Sequence, residues 1–488
     1  AQCCAYVKGQ CVVDLWGVRD EGVLLEKGTT YSSEHLQNIF SSSKVLTSVV
    51  VAMLADRGHL RYDQLVTDLW PEYGQHGKGD TTVSMVMRHE AGLAHFDQAM
   101  DALDLTADRI RAGAVSDNIA SQRPAHTPGA RREYHSLTRG WIVNEIVRRA
   151  DPSGRTIGQF LQEEIATPLG LSDQLRLGVP EELHCRIAPL DARLLDDLWL
   201  TWRQILPWPH TLGGSKVPLG STATRLLLLA GIPVYKLGLV PLILQARDYF
   251  NAATATPTPP SPSSPPPRTP SGSGSGLKIG TSESTTNASS DDTAANEVDS
   301  RPPGARLVAP FNHPDVRRAE IPSANAHASA RALAAVASAM VEGGLAPVSR
   351  LVEGEQGERE TEPGQQRDTQ PHQHRLISEA GVAAAHGGAV SKRMFGLMPT
   401  SFTNAGWNRF SSTGRTGFVG WMGLGGSVMQ WHPEERIGFG YAMNLLELTP
   451  TNERGAALQR EVLRCARAVR SQGGVIVAGC PDRRTAKL

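Results

Sequence analysis

The chain has 488 residues, of which 40% are hydrophobic, and its 49 Lys and Arg are matched by 49 Asp and Glu. That length suits one or two compact units with appendages, and the balanced charge sets up no field toward polyanions, so nucleic acid is excluded as a partner. Six scattered cysteines (Cys3, Cys4, Cys11, Cys185, Cys465, Cys480) make no disulfide framework, and no C-x-x-C pair or Cys/His cluster offers a zinc site.

Read in order, the chain starts at Ala1 without the basic-then-apolar layout of a secretory leader, as a fragment or processed soluble product would. Its compartment stays open. Residues 5–17 (AYVKGQCVVDLWG) alternate like strands but lack strand partners nearby, so the partners are expected at the far end of the chain. An extended segment at 36–40 then gives way to SKVLTSVVVAMLADRGHL, whose apolar spacing predicts a mostly buried helix ending near Gly58. Mostly helical patterns follow. The apolar stretch 226–244 is interrupted by Gly231, Pro233, Lys236 and Pro241, which suits a buried or surface-docking segment better than a spanning helix. Membrane contact through it remains a minor alternative.

Residues 251–306 are rich in Pro, Ser and Gly and carry almost no large apolar side chains, so they are expected to be a disordered insertion. A second polar run at 353–374 reads as a loop insertion. GSVMQW, the turn-rich HPEER and IGFGYAMN, at 426–444, read as a hairpin of apolar strands. The expected fold is α/β (α+β): an antiparallel sheet flanked by helices and built from both chain ends, with a mostly helical region inserted. One domain is then split into 1–250 and 307–468, followed by a tail at 469–488.

Most familiar catalytic signatures fail. His89-Glu90 begins like a zincin helix, but Leu93 stands where the second histidine is required. His89 then reads as a structural residue, and there is no G-x-S-x-G elbow or Walker loop. What survives is Ser41-Ser42-Ser43-Lys44. Residues three apart share a helix face, so the Ser41 hydroxyl and the Lys44 amine can meet. The helix N-terminus favours negative charge developing on the serine. Burial among Val45 and Leu46 makes the amine easier to deprotonate, as a base requires. Taken alone the motif is weak: Ser41 reads equally as a helix cap and Lys44 as a solvated cation, and Ser275-Gly276-Leu277-Lys278 repeats the pattern by accident.

The run IFSSSKVLTSVVVAMLADRGHLRYDQLVTDLWPEYGQHGKGDTTVSMVMRHEAGLAHFD (39–97) resembles the serine β-lactamase-related family, which groups class C β-lactamases, D-alanyl-D-alanine carboxypeptidases and family VIII carboxylesterases. The S-x-x-K, the A-D-R-G helix end and the R-H-x-x-G-L around His89, Gly92 and Leu93 carry the likeness. HTPGARREYHSLTRGWIVNEIVRR (126–149) resembles the family's second motif, which implies Tyr134 as a catalytic partner and Ser136, where many members have Asn, as substrate-binding. Physically, a phenol beside an ammonium loses its proton more easily and can serve as a base. The rivals Tyr31 and Tyr249 lack a Pro-Gly lead-in.

The third motif resembles the esterase branch's W-x-G, with Trp421, Met422 and Gly423 as substrate-binding residues. The resemblance implies an oxyanion hole from the N–H groups of Ser41 and Leu424, which glycine-rich backbone can bring close to an acyl group. A lysine at the position of Trp421 would supply a cation for a substrate carboxylate, whereas indole offers apolar surface and one donor. Arg415 is a candidate replacement cation. The resemblance spans 5–350 outside the linker and 375–468. It implies a serine hydrolase working through an acyl-enzyme on small esters or amides, with no metal or organic cofactor. A β-lactamase or D-Ala-D-Ala peptidase activity and a non-catalytic scaffold are the alternatives.

Overall fold

The computed structural model describes residues 1–18, 31–98, 100–191, 310–347, 374–394, 398–411, 415–446 and 453–471. The apolar stretch 226–244, the insertion 251–306, the run 353–373 and the tail beyond 471 lie outside the described residues. Among those described, no helix is long and apolar enough to cross a membrane.

The two chain ends meet in one antiparallel sheet, as the unpartnered strands at the N-terminus anticipated. Strand β1 (Gln2–Val7) turns through Lys8 and Gly9, both at positive φ, into β2 (Gln10–Trp16). Its other edge pairs with β11 (Ile437–Ala442), Gln2 opposite Ala442 and Val7 opposite Ile437. β10 (Val428–His432), β9 (Val419–Met422), β8 (Asn408–Arg409), β7 (Met398–Phe402) and β6 (Val390–Met394) complete the order β2-β1-β11-β10-β9-β8-β7-β6. A small second sheet has the order β3 (Gln37–Asn38), β5 (His327–Ala328), β4 (Leu175–Arg176).

Six helices carry the rest of the argument: α1 (Ser43–Asp56), α2 (Val83–Met87), α3 (Thr138–Ala150), α4 (Ala330–Val341), α5 (Glu379–His386) and α6 (Glu453–Ser471). The alanine-rich α4 lies directly on β11. A Cβ added at Gly438 or Gly440 would come within 2.4 Å of the α4 backbone at Ser338 or Ala330. The G-F-G pattern is therefore what lets helix and strand touch. Helix α6 covers the opposite face, where Leu463 joins Val7, Phe418 and Ile437.

Helix α1 is apolar on nearly every side, as expected of a helix threaded through a core. It stops where Gly58 takes φ 74°, with the Gly58 and His59 N–H groups donating to Ala55 and Leu54 carbonyls. Truncating Leu46 or Leu54, both buried, should cost about 2–5 kcal/mol. The core thus fixes the rod on whose first turn the Ser41 motif sits.

Candidate active site

Ser41 lies in a single 3-10 turn, Phe40–Ser42, that joins β3 to α1. Phe40 adopts φ 43°, a strained value for a residue with a side chain. Two contacts hold it: its N–H donates to Asn38 Oδ1 at 2.8 Å, and its ring meets Phe311 edge-on with centroids 4.9 Å apart. The three serines separate in use. Ser43 Oγ accepts from the Ala326 N–H, Ser42 Oγ bonds Ser427 Oγ at 3.1 Å, and Ser41 Oγ is left to face the cleft. Ser41 is not the cap of α1, and Lys44 is only 3% exposed, so the alternative of a helix cap and a solvated cation does not hold.

Around Ser41 Oγ the structure gathers the residues that the motifs singled out. Tyr134 Oη stands 2.6 Å away and Lys44 Nζ 3.3 Å away. Nζ also donates to the Ser136 carbonyl at 2.7 Å and to the Ser323 carbonyl at 3.0 Å. Among the described residues no carboxylate pairs with Lys44. Burial and, behind it, the charge of Arg139 hold its amine well below the ordinary lysine range. Burial pushes the Tyr134 phenol up, against hydrogen bonds from Ser41 and Trp421 and the charge of Arg139. Burial thus opposes the charge on both members of the pair: it favours loss of the amine proton, as the sequence suggested, and works against the easier loss of the phenolic proton expected beside an ammonium.

Nζ therefore has three acceptors in reach, Ser41 Oγ and the Ser136 and Ser323 carbonyls, one for each of its possible N–H groups. The carbonyl of Ser323 is placed by its neighbours: the Pro322 carbonyl accepts from Thr47 Oγ1 at 2.8 Å, and Gly140 leaves room where a Cβ would lie 2.5 Å from the Ser323 nitrogen.

Tyr134 is braced by the R-H-x-x-G-L segment. The Glu133 and Gly129 N–H groups donate to the His89 and Glu90 carbonyls, and Ala125 to Gly92, whose φ of 76° and lack of a Cβ admit the His126 carbonyl. His135 Nε2 accepts from the Leu93 N–H, so Nδ1 carries the proton and donates to the Glu133 carbonyl at 2.6 Å. His89 Nδ1 accepts from the His135 N–H, and its ring lies 5.0 Å from that of Tyr134. Burial holds both imidazoles neutral, His135 at about 3. Glu90, the would-be zincin glutamate, is taken by Arg132 at 2.7 Å and Lys392 at 3.2 Å. Among the described residues no three His, Cys, Asp or Glu side chains gather as metal ligands.

The third motif arrives on β9. The Trp421 ring stacks on Tyr134 with centroids 5.9 Å apart and lies 5.2 Å from Phe402. Gly423 abuts the Ser41 turn, since a Cβ there would sit 2.3 Å from the Ile39 carbonyl. Ser427 Oγ donates to that same carbonyl at 2.5 Å and staples the β9–β10 turn in place. Ser41 and Trp421 through Leu424 are part-exposed, while Lys44 and Tyr134 are buried beneath them. Ser136 contributes its carbonyl, and its buried hydroxyl has no partner among the described residues. Arg415 does not reach the cleft: it is 1% exposed and lies against Gln430, on the strand that α6 helps to cover.

The family model described as Beta-lactamase matches residues 1–464. This chain belongs to the β-lactamase family. A curated relative, Esterase/beta-lactamase LipL of Mycobacterium tuberculosis (strain ATCC 25618 / H37Rv), is 34% identical over 178 residues, which is 36% of this chain and 38% of that protein. Among solved structures, a penicillin-binding protein homologue from Caulobacter crescentus is 25% identical with a TM-score of 0.56, covering 94% of this chain and 92% of its own. A family VIII carboxylesterase shares the fold at 21% identity and a TM-score of 0.58, with the same two coverages. The β-lactamase/transpeptidase-like fold expected from the motifs is therefore the fold of this β-lactamase-family chain.

Three residues of the site escaped the sequence reading. His89 was legible only as part of a motif and not as a wall of the Tyr134 pocket. Arg454, which donates to the carbonyls of Gly425 at 3.3 Å and Leu445 at 2.7 Å beside the W-x-G loop, carries no local signal. Nor does Arg139, whose place under the site depends on how α3 crosses α1.

Proposed function

We propose that the protein is a serine hydrolase that cleaves small esters or amides through an acyl-enzyme on Ser41. The observation that carries this is the convergence on Ser41 Oγ of the Tyr134 hydroxyl at 2.6 Å and of the buried Lys44 amine at 3.3 Å, which among the described residues pairs with no carboxylate. Ser41 passes its proton to Lys44 as the oxygen attacks the carbonyl carbon, and the Tyr134 hydroxyl, 2.6 Å from Oγ, supplies the leaving group with a proton. The N–H groups of Ser41 and Leu424 receive the oxyanion, a role supported by the tight approach of Gly423 to Ile39. Water then enters by the same proton path in reverse and frees the acid.

Trp421 favours substrates without a free carboxylate, because its indole, stacked on Tyr134, brings apolar surface and no cation. One observation favours the β-lactamase or peptidase reading: the Arg454 guanidinium lies against the Gly425 carbonyl and brings a cation to the rim. A panel of nitrophenyl esters and a chromogenic cephalosporin, run beside fluorophosphonate labelling, decides between them. Ester turnover and labelling that vanish in Ser41→Ala, with at least about a 10³-fold loss, are expected. Labelling that survives Ser41→Ala sinks the mechanism, and cephalosporin turnover with inert esters reverses the substrate order.

A further inference from the structure

Arg139 is the second residue of α3 and is fully buried. Its guanidinium donates to Ser48 Oγ at 2.8 Å, to the Met87 carbonyl at 3.2 Å and, at the outer limit of 3.5 Å, to the carbonyl of Lys44. Gly406 makes room for it, since a Cβ there would approach Nη2 to 3.0 Å. Every one of these partners is neutral, and among the described residues no carboxylate lies within ion-pair distance. The setting opposes a cation twice over. Burial strips its water, and the N-terminal turn of a helix presents unpaired N–H groups and the positive end of the dipole. Burial lowers the guanidinium only to about 10, so it stays charged at neutral pH.

We propose that Arg139 is a positioning residue whose fixed positive charge, buried beneath the nucleophile helix without a counter-ion, biases the Lys44–Tyr134 pair toward its base form. This rests on the hydrolase reading above and deepens it. A second positive charge beside Lys44 raises the energy of the ammonium, and the same charge lowers the energy of any negative charge that Tyr134 takes up. The fully protonated pair is the form that cannot accept the Ser41 proton, and it is the form Arg139 disfavours most.

The other groups facing the pair cannot substitute for it. His89 and His135, from the segments packed on either side of Tyr134, are held neutral by burial. Arg132 is bound to Glu90, and Trp421 on β9 does not titrate. Helix α1 contributes only Lys44 itself to the pair.

The test compares Arg139→Gln, Arg139→Lys and Ser48→Asp with the wild-type chain. Ser48→Asp places a carboxylate beside the guanidinium and cancels its charge without removing it. Two readouts are taken: the pH profile of kcat/KM on p-nitrophenyl acetate, and the midpoint of tyrosinate absorbance assigned to Tyr134 by difference from Tyr134→Phe. The acid limb and the tyrosinate midpoint should both move up by on the order of one pH unit in Arg139→Gln and Ser48→Asp, and stay in place in Arg139→Lys.

A packing role alone would lower activity by one factor at every pH and leave both midpoints unmoved, which overturns the proposal. If Arg139→Gln fails to fold, Ser48→Asp decides the matter, since it gives a buried cation a partner. A moved tyrosinate midpoint in a chain that never turns over ester upholds Arg139 and breaks the hydrolase reading instead.

Discussion

The two ends of α3 handle buried charge in opposite ways. At its C-terminal end Glu145, fully buried, takes Arg148 at 2.8 Å, Arg149 at 2.5 Å and the Ser116 hydroxyl at 2.6 Å. Burial alone would raise this carboxyl, yet the hydrogen bonds from Arg148, Ser116 and Arg149 and the charge of Arg148 hold it below its ordinary value. The cations there also sit at the negative end of the helix dipole. At the N-terminal end Arg139 has only neutral partners, and Lys44 below it likewise. One end satisfies its charges and gains stability. The other leaves them unsatisfied, and the strain falls on protons that can move.

That contrast can be broken by mutation. Lys44→Met should cost roughly 10²–10⁴-fold in kcat, read on a nitrophenyl ester, while thermal unfolding shows a loss of only about 1–3 kcal/mol, since the Ser136 and Ser323 carbonyls lose their donor. A large loss of stability would mean that Lys44 is structural. Glu145→Gln should do the reverse, lowering stability by about 3 kcal/mol in urea unfolding with kcat unchanged, because two arginines lose their partner. Being part-exposed, those arginines can recover water, which keeps the cost at the lower end of its range.

Tyr134→Phe should lower kcat by about 10²-fold and leave stability nearly intact, because the ring contacts with His89 and Trp421 survive. An equal drop in stability would assign the hydroxyl to folding. The smallest effect sharpens the contrast from the acidic side. Glu320 is buried with neutral partners only, Thr156, Asn144 and the Gly158 N–H, and burial raises it to about 7. A carboxyl raised on folding binds its proton more tightly in the folded state. It therefore stabilises fully below the ordinary value of 4.5, and this stabilisation is lost as pH rises through about 7. The unfolding free energy from urea titrations should fall over that window by about 3 kcal/mol, and Glu320→Gln should flatten the fall. An unchanged slope would show that Glu320 is ionised throughout.

The legible parts of this molecule were those that a local rule governs. The turn after α1 followed from Gly58, the hairpin of β10 and β11 from its turn residues, and the pairing of β1 with β11 from strands with no nearby partners. Ser41, Lys44 and Tyr134 were singled out because hydrolytic chemistry needs such groups in motifs of short, fixed spacing, and the fold brings their side chains together. The direction in which burial moves the Tyr134 phenol was not legible, since it depends on how much water the fold removes. Ser136 was noted for its side chain, yet it is the carbonyl, common to every residue, that holds Lys44.

By itself the amino-acid sequence determined that the chain ends share a sheet, that an apolar helix follows closely on Ser41, and that the three motifs belong to one family. These follow from periodicity, turn chemistry and short spacings, which act over a few residues. Only the tertiary structure decided that Lys44 meets no carboxylate among the described residues, that Trp421 stacks on Tyr134 and that Arg139 is buried close by. Such facts concern groups far apart in the chain, and their energies depend on burial and distance, which exist only once the core has closed.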